Sequence, residues 1–313
     1  VLMALPGWPM GSTGLMLQRV LAGMASAWVF VTGGLLAARL GMWWPQRSGL
    51  VLGLYYGGTG FGIVLSSLGV SWVLDHPWQS EVLPWQQAWW AMTGVSVVAL
   101  LGGVWAAQRL PKANQVPHTG HAKPETVGIA WQWRLFVPAL LGYACFGLGY
   151  IGYMTFVIAL LREQGHQSTD IVLFYALLGA MVMMSSRLWA GLLDRHKNGQ
   201  PLARLNALLG LATVLPAITP WWPAVLMSGV MFGAVFLSVV ASTTALVKHN
   251  VKPAQWATGV SAFTIVFAAG QMAGPAMVGW IADGAGGLGL GFAVSAGVLW
   301  LGAVLALRQK AWQ

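Results

Sequence analysis

The chain has 313 residues, 57% hydrophobic and only 7% charged, with 19 Trp, 41 Gly and a formal charge of +9. A soluble domain carries about 25% charged residues, so the composition excludes one and indicates a polytopic membrane protein. The basic excess does not indicate a nucleic-acid partner, because it is spread over short loops and gathers on no helix face.

Val1–Pro6 is apolar but too short to span, and it reads as the tail of a helix ended by Gly7-Trp8-Pro9. No basic n-region precedes an apolar core, so no signal peptide is expected. Nine spans follow: Gly14–Ala38, Ser48–Trp72, Ala88–Ala107, Trp133–Leu160, Ile171–Leu193, Pro201–Thr219, Pro223–Val247, Ala254–Ile281 and Gly287–Leu307. Each is close to or longer than the roughly 20 residues that cross a hydrocarbon core. Barrel strands would be about half as long and strictly alternating. The lone Cys145 lies inside a span, so no intrachain disulfide is implied.

The loops set the orientation. With Gly7–Thr13 outside, thirteen basic residues fall inside and only Arg162 outside, while Arg19 and Arg187 lie within spans. The positive-inside rule then places the C-terminus in the cytoplasm. Leu110–Ala130 is the longest polar stretch, with three prolines, and reads as a flexible linker between two helical bundles. His118 and His121 within it lack further ligands at metal spacing, so no metal site is expected. A weak repeat relates the two sides of this linker. At an offset of 210 residues Gly23 meets Gly233, Ser48-Gly49 meets Thr258-Gly259, Gly60 meets Gly270 and Gly69 meets Gly279.

Ser186–Lys197 is the densest run of charge in the chain, and Arg187, Gly191 and Asp194 fall at i, i+4 and i+7 on one helix face. Gly191-Leu192-Leu193-Asp194-Arg195, followed by a polar turn, resembles the cytoplasmic loop signature of the major facilitator superfamily, in the copy joining the eighth and ninth helices. Arg19-Val20-Leu21-Ala22-Gly23 resembles its fourth-helix Arg-x-x-x-Gly signature. Gly270-x-x-x-Gly274-Pro275-x-x-x-Gly279 looks like its glycine–proline motif, here in the eleventh helix. Gln18–Val31 and Gly149–Phe156 are similar to the YbfB/YjiJ-type subgroup.

The resemblance implies an all-α membrane protein with a major-facilitator-type two-bundle fold, N-terminally truncated, with nine full transmembrane helices plus a stub. On that register residues 1–109 are the remainder of the N-terminal helical bundle, from the end of helix three to helix six. Residues 110–130 are the cytoplasmic linker, and 131–313 the C-terminal six-helix bundle. Lacking its first helices, the chain by itself is expected to be inactive in transport. The function implied is secondary active transport of an unidentified small molecule by alternating access, with protons the favoured coupling ion. No phosphate loop is present, so ATP hydrolysis is not expected, and there is no enzyme signature and no cofactor motif. The alternative is a non-transporting membrane sensor or scaffold on the same fold. A monomer in a bacterial inner membrane is expected, with the lipid bilayer, the substrate and the coupling ion as its partners.

Candidate residues follow. Tyr143, Gly147, Tyr150 and Met154 share one helix face, and the resemblance makes that helix line the central cavity; packing against lipid or a neighbour would also explain any one tyrosine. Thr264 and Gln271 share a face, where Gln271 serves either substrate contact or interhelical bonding. Trp28 is mid-span and joins the cavity set. Gly23, Gly57, Gly270, Gly274 and Pro275 suit close helix packing. Arg187, Gly191, Asp194 and Arg195 would form a cytoplasmic gate, with Asp194 facing the N-terminal end of the Ser48–Trp72 helix by analogy to the family; the bland alternative is a headgroup anchor. Arg19 is assigned to proton coupling by the resemblance, against an alternative of snorkelling to the interface.

Overall fold

Hydropathy marks where a span crosses hydrocarbon, but a helix continues until its end groups find partners. In the computed structural model, which describes residues 2–43, 48–109, 132–252 and 255–312, the helices accordingly run past most of the predicted spans. They are α1 (Ser12–Trp43), α2 (Ser48–Asp75), α3 (Pro84–Arg109), α4 (Val137–Glu163), α5 (Ser168–Arg195), α6 (Gln200–Ile218), α7 (Trp222–Asn250), α8 (Trp256–Ala282) and α9 (Gly287–Leu307). α5 starts ahead of the predicted Ile171 because Gln167 and Asp170 form a capping box, with the Gln167 N–H donating to Asp170 Oδ2 at 3.1 Å. Leu110–Ala130, the expected linker, lies outside the described residues.

Among the described residues eight helices, α2 to α9, are long and apolar enough to cross a membrane. α1 is helical over 32 residues. Where the sequence predicts a helix tail at Val1–Pro6, the described residues form turns and a short 3-10 helix, Leu5–Gly7, closed by Gly7 N–H donating to Ala4 O at 2.9 Å. Pro6 lies within this turn and Pro9 follows it, and neither supplies an N–H to extend it.

The chain forms two compact units, one of residues 1–33 and 68–130, the other of 34–67 and 131–313. In the first, Gln87 is fully buried and closes the α2–α3 connection. Its carbonyl accepts from the Trp78 N–H at 2.8 Å, and its amide donates to Gln79 O at 2.6 Å and Val82 O at 2.8 Å. Gln18, also buried, donates to Leu2 O at 2.7 Å. Trp8 packs on Trp90 with ring centroids 5.5 Å apart.

In the second unit α4 is the helix against which α8 and α9 are laid. Glycines permit this. A Cβ on Gly142 would lie 2.8 Å from the Gly302 carbonyl of α9, and one on Gly147 would lie 2.5 Å from the Phe267 carbonyl of α8. Small residues let backbones approach where lipid offers no hydrophobic drive.

Several buried polar groups are paired across the helices, although Asn206 Oδ1, Ser295 Oγ, Gln164 Oε1 and His166 Nε2 find no partner among the described residues. Pro216 has no N–H, so the Ala212 carbonyl one turn earlier on α6 loses its helical donor. The Ser228 hydroxyl of α7 replaces it, donating to Ala212 O at 2.6 Å. Having spent its proton there, Ser228 accepts from the Tyr153 hydroxyl of α4 at 2.7 Å. Ser185 and Ser238 join α5 to α7 through a 2.7 Å hydroxyl contact, and Asn206 of α6 donates to Gly142 O at 3.0 Å.

Ser228→Ala should therefore orphan both the Ala212 carbonyl and the Tyr153 hydroxyl, at about 1–3 kcal/mol for each buried group. Tyr153→Phe should cost less, because Ser228 still donates to Ala212. Thermal unfolding of the purified protein checks the order; Tyr153→Phe proving the more damaging would contradict this pairing.

Candidate substrate site

α4 presents Tyr143 and Tyr150 two turns apart, and both are buried, at 3% and 5% exposure. Their rings join a continuous aromatic wall built from three helices. Tyr143 lies 5.4 Å from Phe146 and 5.3 Å from Phe267 of α8. Tyr150 lies 4.8 Å from Phe146, 5.6 Å from Phe267 and 5.2 Å from Phe236 of α7. Met154 is half-buried at the edge of the same core. Tyr153, off that stripe, is the fully buried one and points to Ser228.

The phenols bring the polar chemistry. The Tyr143 hydroxyl lies within reach of the Thr243 side chain of α7, and the phenols of Tyr56 and Tyr150 are close enough to interact with it electrostatically. Thr243 donates its own proton to Val240 O at 2.9 Å, which leaves its oxygen free to accept. Tyr56 comes from α2, which is held on α5 by a glycine crossing: Gly60 meets the Gly179 carbonyl, and a Cβ on Gly179 would lie 2.8 Å from the Gly60 carbonyl. Gly57 stands beside Met183 at ordinary contact distance. All six tyrosines of the sequence belong to this unit.

On α8, Gln271 follows Phe267 by one turn and is half-buried; among the described residues nothing hydrogen-bonds its side-chain amide. Pro275 sits inside the helix, so the Gln271 main-chain carbonyl has also lost its helical donor. Thr264 is exposed and donates to Val260 O of its own helix at 2.9 Å. Gly270 and Gly274 bring α8 onto α4, where a Cβ on Gly270 would lie 2.6 Å from the Ala144 carbonyl. α4, α7 and α8 carry no carboxylate before Glu163 at the end of α4, and no Lys or Arg before Arg162 on α4 and Lys248 on α7.

The remaining predicted residues stand elsewhere. Arg187, Gly191, Asp194 and Arg195 are exposed at the end of α5; among the described residues they make no ion pair, and nothing lies within 4 Å of a Cβ on Gly191. The side chains at the start of α2, the expected partner of Asp194, lie outside the described residues. In the other unit Arg19 is exposed with its guanidinium 5.0 Å from the Trp89 ring centroid, a cation–π contact. Gly23 faces open space and Trp28 is 79% exposed.

Sequence reasoning missed Thr243, Tyr56, Phe236, Phe267 and Trp89 as neighbours of the site residues. A signal for Thr243 existed in Ser242-Thr243-Thr244, a polar run inside an apolar span. The others are apolar or aromatic residues in apolar company and carry no mark in the sequence.

The family model described as uncharacterised MFS-type transporter YbfB matches residues 1–307. The chain belongs to this major facilitator family. No curated protein matches it. The chain is thus an integral membrane protein of a transporter family, and membership implies transport rather than catalysis. The three motif regions fall on α1, the end of α5 and α8.

The α4–α8 crossing yields a direct test. Gly270→Val drives a side chain into the Ala144 carbonyl and should cost about 1–3 kcal/mol, the usual penalty of overpacking. Gly297→Val on α9, where nothing lies within 4 Å, should be close to neutral. Thermal melts of the two variants compare them; equal melting points would mean that the crossing does not depend on a bare backbone.

Proposed function

We propose that the chain is a secondary active transporter of a small molecule, working by alternating access, with protons as the coupling ion. The observation that carries this reading is the phenol cluster of Tyr56, Tyr143 and Tyr150 with Thr243, set among helices otherwise apolar enough to span a bilayer. Hydroxyls at that depth are costly unless they serve a partner or a water-filled path. Their origin on α2 as well as α4 and α7 supports a site shared by the two halves on either side of residues 110–130, which would rock about it.

Arg19 supports the proton assignment. It is the only charge within its span, and a fixed positive charge lowers the pKa of a nearby acid. Arg187, Gly191, Asp194 and Arg195 would latch the cytoplasmic side, with Asp194 stabilised by a helix N-terminus. Orientation follows from the basic loops, with a cytoplasmic C-terminus in a bacterial inner membrane.

The test uses the full-length protein in proteoliposomes holding a pH-sensitive dye, challenged with a panel of small amphipathic amines, amides and acids. At least one compound should drive proton movement. Tyr150→Phe should slow it severalfold, as the loss of one hydrogen bond implies. Arg19→Ala should abolish proton movement while substrate exchange persists. Silence across the panel, or wild-type pH dependence in Arg19→Ala, would refute the reading. A second measurement addresses the latch. Removing the Asp194 charge, worth about 0.3–1 kcal/mol exposed and up to about 2 when partly buried, should raise cysteine accessibility from the cytoplasmic face severalfold in Asp194→Asn. Unchanged accessibility would make these residues a headgroup anchor.

A further inference from the structure

Two internal prolines of this protein are treated differently, and the difference points to a ligand. Pro216 on α6 frees the Ala212 carbonyl, and Ser228 fills the gap at 2.6 Å. Pro275 on α8 frees the Gln271 carbonyl, and among the described residues no side chain donates to it. The same residue carries a half-buried side-chain amide to which nothing hydrogen-bonds among the described residues. One turn away stands Phe267, whose ring lies 5.3 Å from Tyr143, 5.5 Å from Phe146 and 5.6 Å from Tyr150. The main-chain and side-chain oxygens of Gln271, neither taken by a side chain among the described residues, thus belong to a residue one helical turn from a ring of the aromatic wall.

We infer that the carried molecule is a monocationic amine with an aromatic or flat apolar body, its N–H groups donating to the main-chain and side-chain oxygens of Gln271. This rests on the transport reading above and names its substrate class. The two oxygens accept and so suit a ligand N–H, while the NH2 of the same side-chain amide is itself a donor. The ring faces carry a negative quadrupole that attracts a cation. A carboxylate substrate finds no Lys or Arg on α4, α7 or α8 away from their ends. A dication finds no carboxylate there to offset its second charge. A neutral hydrocarbon would leave both oxygens of Gln271 as unpartnered as they are without it. A single positive charge with N–H donors satisfies the acceptors and the rings together.

The experiment measures equilibrium binding of radiolabelled phenethylamine to the purified full-length protein. Two comparison ligands are its N,N,N-trimethyl analogue, which has the charge but no N–H, and 3-phenylpropionate, which has the opposite charge. Phenethylamine should bind saturably and more tightly than either. Gln271→Leu should weaken it about tenfold, the worth of a charge-assisted hydrogen bond, while hardly changing the trimethyl analogue. Gln271→Glu should tighten it, and this variant carries the test if the leucine variant does not fold. Absence of saturable binding, preference for 3-phenylpropionate, or an affinity indifferent to Gln271 overturns the assignment. Proton flux driven by other compounds of the panel would then show that transport stands and only the substrate class has failed, whereas silence of the whole panel fails the transport reading itself.

Discussion

A polar group inside hydrocarbon has no water to turn to, and every cross-helix bond in the second compact unit answers that constraint. Proline makes it acute, because each internal proline strips a donor from the carbonyl one turn back. At α6 the consequence is a relay in which Ala212, Ser228 and Tyr153 satisfy one another across three helices. Ser185 with Ser238, and Asn206 with Gly142, do the same for α5, α7, α6 and α4. At Gln271 no side chain among the described residues takes up the carbonyl that Pro275 frees, whereas Ser228 takes up the one that Pro216 frees.

Close approach is the second requirement, and glycine meets it. Gly147, Gly270 and Gly274 let α8 settle on α4, while Gly142 does so for α9. The Gly60–Gly179 crossing carries α2 onto α5 and thereby delivers Tyr56 to the phenols of α4. Packing and function are thus linked at single residues: the aromatic wall is assembled by backbones that touch where side chains are missing.

Much of the fold was legible in the sequence because spanning a bilayer imposes a length and a composition on each helix. The bounds of α9 coincide with the predicted span, while α5 and α7 exceed theirs because caps and polar end residues carry no hydropathy signal. At Val1–Pro6 apolar character suggested a helix tail, yet two prolines and a glycine leave only a 3-10 turn. Helical spacing found the stripe of Tyr143 and Tyr150, which lie within one aromatic wall. Spacing also set Tyr153 off that stripe, but could not supply its role, which depends on a serine 75 positions away. Nor could it pair Arg19 with Trp89, since a cation–π partner on another helix leaves no periodic trace. What a single sequence encodes weakly is the neighbour.

Water at Gln271 is the most direct measure of a transport path through this unit. In a Cys145→Ser background, Gln271→Cys in the full-length protein can be exposed to a water-soluble methanethiosulfonate in membrane vesicles, beside Ser228→Cys as a fully buried comparison. The expected result is modification of Cys at 271, slowed when phenethylamine is present, with the comparison thiol unreactive. A thiol at 271 that never reacts, under either direction of proton gradient, would place it in a closed protein core and contradict a substrate site there.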